Sequence, residues 1–551
     1  MRVTKTTKGL KLHAVAGTYV VMLGFDLPQR SCNGLKGFSI HRVDHTEDEA
    51  KYLEGMKAFA ETDPGFPAGA TYSTKDQPIQ SFQWSDYSAK PGHDYTYTIA
   101  ALKGTPTDLK IFAETSVDIT TESPEGGDQD VYFNRGVAAS QEYARRFGNR
   151  APDKVPNNQA FIWLSRGLYE ALEGYVESCG RGDRLRIAAY EFHYEPFLKL
   201  LKKAKRRGVD VKVVFDKRKA KPGKNNTKAI KDTGIGAFCT PRKNGKSYIS
   251  HNKFIVKMKG NKARSVWTGG TNFSSGGIFG HSNVGHLVED PAVAERYLTY
   301  WNMLAEDPDT PEARDRVEEI TKVPKLPPPK GTSVIFSPRN GLEALQYYAK
   351  LAASADHALF MTFAFGINKL FKEVYRTSRA PFRMALLEKA TRPMKEGPDK
   401  KKEEQDIQRL RNMPENTFAI GDFIRTTAID GWLKEKLSGL NSNVRYVHDK
   451  FMLVDPLSDD PIVVAGSANF SDASTTNNDE NMIVVRGNRR IADIYFGEYM
   501  RLYSHHAFRE SLKWRDANKP PKPLELGDWW RDYFGTTERS VRRRYFARSS
   551  R

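Results

Sequence analysis

Two distant segments of this chain carry the same spaced set of polar residues, and any fold it adopts must account for both copies. The first reads SHNKFIVKMKGNKARSVWTGGTNFSSGG and the second VHDKFMLVDPLSDDPIVVAGSANFSDAS. With His251 set on His448, Lys253 falls on Lys450, Gly269 on Gly466 and Asn272 on Asn469. The histidine-to-glycine offset is 18 in both, from 269 − 251 and 466 − 448. A histidine and a lysine two apart on a strand project from one face. Phe254-Ile255-Val256 and Phe451-Met452-Leu453-Val454 continue each strand into a core. The next apolar run, Val266-Trp267-Thr268 or Ile462-Val463-Val464-Ala465, leads into a Gly-x-x-Asn turn that returns beside the histidine. Each copy therefore offers one imidazole, one ammonium and one amide to a common point. One His-x-Lys pair alone is usually packing; two with equal spacing are not coincidence.

The surroundings of the motifs repeat as well. Arg184 to Tyr190 and Pro381 to Leu387 read as short apolar strands, as do Val209 to Phe215 and Leu359 to Phe365. Pro196 to Arg207 has helical periodicity and Gly208 follows as a C-terminal cap. Tyr132-Phe133-Asn134-Arg135 is echoed by Ile335-Phe336-Ser337-Pro338-Arg339. Strands alternating with helices indicate βαβ units, so residues 130–322 and 332–512 are expected to form two α/β/α lobes. The proline-rich stretch Val323 to Gly331 reads as a stiff linker between them. Residues 1–124 alternate with period two, as in Tyr95 to Ala101, and predict an all-β sandwich of fibronectin type III-like character. Glu125-Gly126-Gly127-Asp128 closes that unit. Lys395 to Arg411 reads as a solvated helix or an insertion. Residues 513–551 form a basic tail, with Glu538 to Arg551 expected to be a disordered extension whose Tyr545 and Phe546 can stack on bases.

At 551 residues the chain exceeds what one core usually supports. The formal charge of +19 favours anionic partners: nucleic acid, anionic lipid head groups or phosphorylated small molecules. Cys32, Cys179 and Cys239 are isolated and lack zinc-like spacing, which suits reduced thiols. No apolar run spans a bilayer and the N-terminus lacks a signal-peptide core, so a cytoplasmic protein is expected.

The doubled set suits attack on a phosphodiester. One neutral imidazole can act as nucleophile and give a phosphohistidine. The other, protonated, can serve as general acid and then as base for water. Two ammonium groups can hold the phosphoryl oxygens, so neither a metal nor another cofactor is expected. The paired motif closely resembles the phospholipase D superfamily, with its His-x-Lys-x4-Asp followed by Gly-Ser/Gly-x-Asn. The resemblance covers roughly residues 130 to 510 and implies pseudo-symmetric lobes whose histidines meet at the interface. It makes His251 the nucleophile and His448 the acid/base, with the reverse left open. Lys253, Lys450, Asn272 and Asn469 complete the implied catalytic set, supported by Gly269, Thr271, Gly466, Ser467 and Asp455. Glu480, in Asp479-Glu480-Asn481, would orient a histidine. The second motif is complete, whereas Met258 stands at the position matching Asp455 and Gly270 at that matching Ser467. Tyr190, His193 and His286 are candidate substrate contacts, with structural roles as the competing reading. The preferred substrate is DNA or RNA; a glycerophospholipid, cleaved or transferred, is the alternative, and a non-catalytic scaffold the third reading. With both motifs on one chain a monomer suffices, and a homodimer stays open.

Overall fold

The computed structural model of the chain describes residues 1–63, 71–136, 140–218, 220–244, 248–391, 394–421, 445–511 and 522–549. Its centre is a pair of seven-stranded sheets of identical topology. The first runs in the order Gln129–Phe133, Val284–Val288, Lys262–Gly269, Lys253–Lys259, Asp183–Ala189, Asp210–Asp216, Cys239–Arg242. The second runs Gly331–Ser337, Glu480–Arg486, Ile462–Gly466, Phe451–Val454, Ala358–Phe363, Phe382–Leu387, Asn416–Ile420. In both, the last three strands pair in parallel and the rest antiparallel. The expected strands fall within a residue or two of these, and the mixed α/β character follows the sequence pattern.

These central strands are covered on both faces, which is why they read as continuous apolar runs. The helices Pro291–Ala305 and Arg489–Ser511 lie between the sheets and form one core with them. The packing repeats: Phe254 meets Tyr297 at 5.0 Å, and Phe451 meets Tyr495 at 5.2 Å. The outer faces have separate cores under helices such as Glu195–Arg206 and Glu343–Ala353. Glu195–Arg206 buries Phe197, Leu198, Leu200, Leu201 and Ala204, with Pro196 in its first turn and basic residues in its last. The charged segment is the helix Pro398–Arg411, largely solvated, with Glu403 reaching Lys372 at 2.7 Å.

Residues 1–120 hold two four-stranded antiparallel sheets. Two of their residues, Val15 and Met22, enter the core shared by the large sheets. The basic tail departs from expectation. Residues 538–547 form a helix capped by Thr537 and docked on the strand Val21–Asp26. A Cβ on Gly24 would lie 2.3 Å from the Phe546 backbone, so only glycine permits this approach. Phe546 is fully buried, and Tyr545 packs on Phe382 at 5.3 Å and Phe360 at 5.9 Å. Neither ring is available for base stacking. The segment's arginines disguise an amphipathic helix: Arg543 pairs with Asp26 while the aromatics face inward.

Candidate active site

Both His-x-Lys motifs stand at the entry to a central strand, with the lysine at or just before its first residue. The lobes join here through two short bridges, Ser250 to Asp479 and Ser282 to Val447. Through them the His251 N–H donates to the Asp479 carbonyl at 3.0 Å, and the His448 N–H to the Ser282 carbonyl at 3.3 Å. Each histidine is thus fixed by backbone of the opposite lobe. The same crossing holds for the rings. Nδ1 of His251 lies 2.8 Å from Oε2 of Glu480, in the second lobe. Nδ1 of His448 lies 3.0 Å from Oδ1 of Asn283, in the first.

Asn283 occupies the place of Glu480, because Gly285 and Met482 pair with Gly269 and Gly466 in matching registers. Its Nδ2 donates to the Gly277 carbonyl at 2.7 Å and lies 2.9 Å from His281 Nδ1, which fixes Oδ1 as the atom facing His448. His448 Nδ1 therefore carries the proton in that bond. The carboxylate on His251 asks for the same tautomer, so in both rings Nε2 is left unprotonated when the ring is neutral. His281 stacks on His448 with centroids 4.3 Å apart. Burial, with Lys450 nearby, holds His281 down to about 3, so it is a neutral platform.

Lys253 and Lys450 are each 1% exposed, and each donates to the carbonyl of its own motif histidine. Burial pulls Lys253 down to about 7, against the nearby carboxylates of Glu480, Glu191 and Asp216. Burial and the charge of Lys253 pull Lys450 well below the lysine range. Burial lowers His448 too, followed by Lys450, His281, Lys253 and His251. His251 is lowered by burial and the two lysines, with Glu480 opposing. The crossed backbone bridges and ring contacts bring both pairs to the junction of the lobes. Such a crowd of buried cationic groups is costly without an anion among them. The side-chain oxygens of Asn272 and Asn469 are also buried without a hydrogen-bond partner.

The glycines are fixed by close approach. A Cβ on Gly269 would sit 2.3 Å from the Val284 carbonyl, and one on Gly466 2.2 Å from that of Asn481. Thr271 Oγ1 donates to Val284 O at 2.9 Å, and Ser467 Oγ accepts from Asn481 N at 3.0 Å. The strand ends before the histidines are held by acids: Asp216 accepts from Ser250 N, and Glu388 from the N–H groups of Arg445, Tyr446 and Val447. Asp479 in turn receives the buried Arg242 guanidinium at 3.0 Å and Arg218 at 3.3 Å.

Asp455 accepts from the N–H groups of Asp356, His357 and Ala358 at 2.7–2.8 Å, bracing the strand beside the motif. Met258 is buried in the shared core at the matching place, so apolar packing replaces that brace in the first lobe. Asp455→Ala is expected to lower stability by about 0.5–1.5 kcal/mol by removing these hydrogen bonds, two of them to exposed residues, measured by urea unfolding. No change in the unfolding midpoint would contradict this role.

Of the suggested substrate contacts, Tyr190 stands at the site, its ring 4.9 Å from that of His251 and 5.1 Å from Lys253 Nζ. The His193 N–H donates to the Phe273 carbonyl at 3.1 Å, beside the Asn272 turn. His286 does not line the site. It is fully buried, with Nδ1 3.0 Å from the Tyr495 hydroxyl and Nε2 2.9 Å from Gln129 Oε1, because its strand position points into the core between the sheets. The sequence pattern singles out neither Asn283 nor His281; only aligning Ser282-Asn283 with Asp479-Glu480 would have found the first.

No curated protein sequence matches the chain. Among solved structures it is similar to polyphosphate kinase from Porphyromonas gingivalis, at 11% identity and TM-score 0.40, over 67% of this chain and 53% of that one. It thus spans about half the length of that kinase. It is also similar to phosphatidylserine synthase from Haemophilus influenzae Rd KW20, at 12% identity and TM-score 0.44, over 62% and 85% of the two chains. Nuc from Salmonella typhimurium, a phospholipase D family member, aligns at 15% identity and TM-score 0.23, over 32% and 94%. A family model described as cardiolipin synthase, PLD-like domain, matches residues 177–304 and 349–501, just over half of the chain and both motifs. The chain belongs to that family of the phospholipase D superfamily.

Proposed function

We propose that the enzyme hydrolyses nucleic-acid phosphodiesters through a covalent intermediate on His251. The observation that carries the assignment of roles is the unequal pair of orienting groups: a carboxylate on His251, a neutral amide on His448. When Nε2 of His251 bonds to phosphorus, its ring becomes cationic, and Glu480 is placed to stabilise that charge. The bond from phosphorus to the leaving oxygen breaks, and His448, protonated, gives that oxygen its proton. Burial disfavours this proton in the free enzyme; the arriving diester anion supplies the countercharge that favours it. Neutral His448 then takes a proton from water, the resulting hydroxide displaces His251 from phosphorus, and the site is restored. Lys253, Lys450, Asn272 and Asn469 hold the non-bridging oxygens. Tyr190 and His193 border the substrate.

The charge of +19 supports nucleic acid as the substrate class. The description of the matching family model supports a second reading, phosphatidyl transfer or hydrolysis on phospholipid. Among the described residues no helix is long and apolar enough to cross a membrane. The division of the chain at residues 1–124, 130–322, 332–512 and 513–551, and the fibronectin type III-like character of the first part, are part of the same proposal. So is a cytoplasmic enzyme for which a monomer suffices, with a homodimer open. Single- and double-stranded DNA, RNA and phosphatidylglycerol vesicles, each incubated with EDTA, separate the readings. Cleavage of nucleic acid in EDTA is expected; turnover of lipid alone would replace the nuclease reading, and turnover of neither would favour a scaffold.

The buried lysines give the reaction a pH signature. Lys253, held near 7 when folded, loses its proton as pH rises through that value, while the unfolded chain keeps it to about 10.4. Between these values the unfolded state binds more protons, so this lysine's contribution to folding stability rises with pH. Its hold on an anionic diester falls over the same range. kcat/KM for a small chromogenic diester is expected to decline above about pH 7, with a stability that moves the opposite way in the Lys253→Met comparison. A flat profile from about pH 6 to about pH 9, a range that brackets the folded value, would remove this account.

A further inference from the structure

A second cavity, of about 780 Å³, lies between the N-terminal sheets, the first lobe and the long helix Arg489–Ser511. Its volume falls in the range of small-molecule sites. None of the residues lining it belongs to the catalytic set. Four arginines line it, and three of them, Arg135, Arg166 and Arg501, have a single carboxylate among them in the described residues. One buried carboxylate, Glu498, serves two of them: it pairs with Arg166 at 2.7 Å and with Arg501 at 2.8 Å. Among the described residues Arg135 has no carboxylate partner, and its Nε is buried with no acceptor. Burial, followed by the charges of Arg166 and Arg501, lowers Arg135 to about 10. Around the rim Arg146 is matched by Glu142, Lys51 by Glu49, Lys90 by Glu47 and Asp86 by Arg42, while Glu54 is exposed and has no ion pair among the described residues.

The cationic floor is walled by rings. Arg135 lies 4.7 Å from the centroid of Trp163, and Arg166 4.5 Å from that of Tyr19. Trp84 and the exposed Tyr87 complete the wall. Unneutralised arginine beside flat aromatic faces suits a ligand that joins a phosphate to a planar base, since guanidinium groups bind phosphate oxygens and rings stack on bases. We propose that this cavity binds a nucleotide, either free or as part of a nucleic-acid strand, with its phosphate at Arg135 and its base against Trp163. A lipid head group would satisfy the arginine but bring no flat face to the rings of the wall.

The cavity also touches the machinery. Arg501 donates to the carbonyls of Asn134 and Arg135 at 3.3–3.4 Å. Asn134 accepts from the N–H of Asn283, the residue that orients His448. An occupant at Arg135 therefore sits one residue from the support of the catalytic ring.

Calorimetric titration of the intact protein with AMP, inorganic phosphate and phosphatidylglycerol vesicles tests the proposal. Octathymidylate is titrated into the His251→Ala variant, where it is not turned over. AMP is expected to bind more tightly than phosphate, and Arg135→Gln and Trp163→Leu each to weaken AMP by tenfold or more. Arg135→Gln should leave hydrolysis of a small chromogenic diester within twofold and should not lower the melting temperature, since it removes a half-buried cation with no carboxylate partner among the described residues. Octathymidylate binding at least tenfold tighter than AMP, and losing the same factor with Arg135→Gln, identifies a strand; equal affinities identify a free nucleotide. Absent AMP and octathymidylate binding, binding indifferent to both variants, phosphate equal to AMP, or vesicles bound in preference would each overturn it. Should Arg135→Gln fail to fold, Trp163→Leu carries the same reading. AMP binding stands or falls independently of nuclease activity, because a monoester is not a diester substrate.

Discussion

His251→Ala is expected to lower kcat on a phosphodiester by roughly 10⁴–10⁶-fold, as loss of a nucleophile acting within a coupled set does. His448→Ala is expected to cost about 10²–10⁴-fold on a substrate with a poor leaving group, the range for removing a general acid. The two variants should differ with a good leaving group such as p-nitrophenolate. There the first step needs no acid, but water still needs a base, so His448→Ala should release a burst and then hold phosphorus on His251. Acid-labile label retained by His448→Ala and absent from His251→Ala would be read on a denaturing gel. The opposite pattern would exchange the roles of the two histidines. Near-normal turnover by either variant would end the shared-site account.

Arg242→Ala should unfold or loosen the junction rather than act on the chemistry. Arg242 is fully buried, and its guanidinium meets Asp479 at 3.0 Å and Asp307 at 3.0 Å. Removing one partner of such a pair costs about 3–5 kcal/mol, because the remaining charge stays buried. Burial works to raise the Asp479 carboxyl, but Arg242 and Arg218 overcome it and hold it below the usual range. A carboxylate depressed in this way adds stability that is present above its unfolded pKa and is lost as pH falls through the folded value. Denaturant unfolding at neutral pH is expected to show the loss for Arg242→Ala, and that loss should shrink in acid. Since Asp479 precedes Glu480 and accepts the His251 N–H, activity should fall with it. A variant of unchanged stability would mean that Arg218 alone suffices.

Much of this was legible before any coordinates. Equal spacing of two His-x-Lys and Gly-x-x-Asn sets gave the doubled lobe, because strand periodicity and turn geometry are local. Glu480 follows from the likeness of Asp479-Glu480-Asn481 to the acidic element after the motif in the phospholipase D superfamily. Asn283 does not, because an amide doing the work of a carboxylate leaves no charge pattern, and its role arises only across the lobe boundary. His286 drew attention by its type, but the alternation of its strand turns it toward Tyr495 and Gln129. The tail's composition reports charge and not its direction: one face of residues 538–547 is arginine, while the other carries the rings that close the core. Arg242, Asp216 and Glu388 are distant in sequence from what they support, and no spacing announces them.

The crossed bonds at the junction have an evolutionary and practical consequence. Each half of the protein holds the reactive ring of one copy and the orienting group of the other, as a pair of scissors keeps each blade true against its mate. A chain severed within residues 323–331 would yield two pieces, each inert alone, whose activity should return together or not at all when they are mixed. Neither half can drift independently, since a change at residue 283 or 480 is felt by a histidine on the far side.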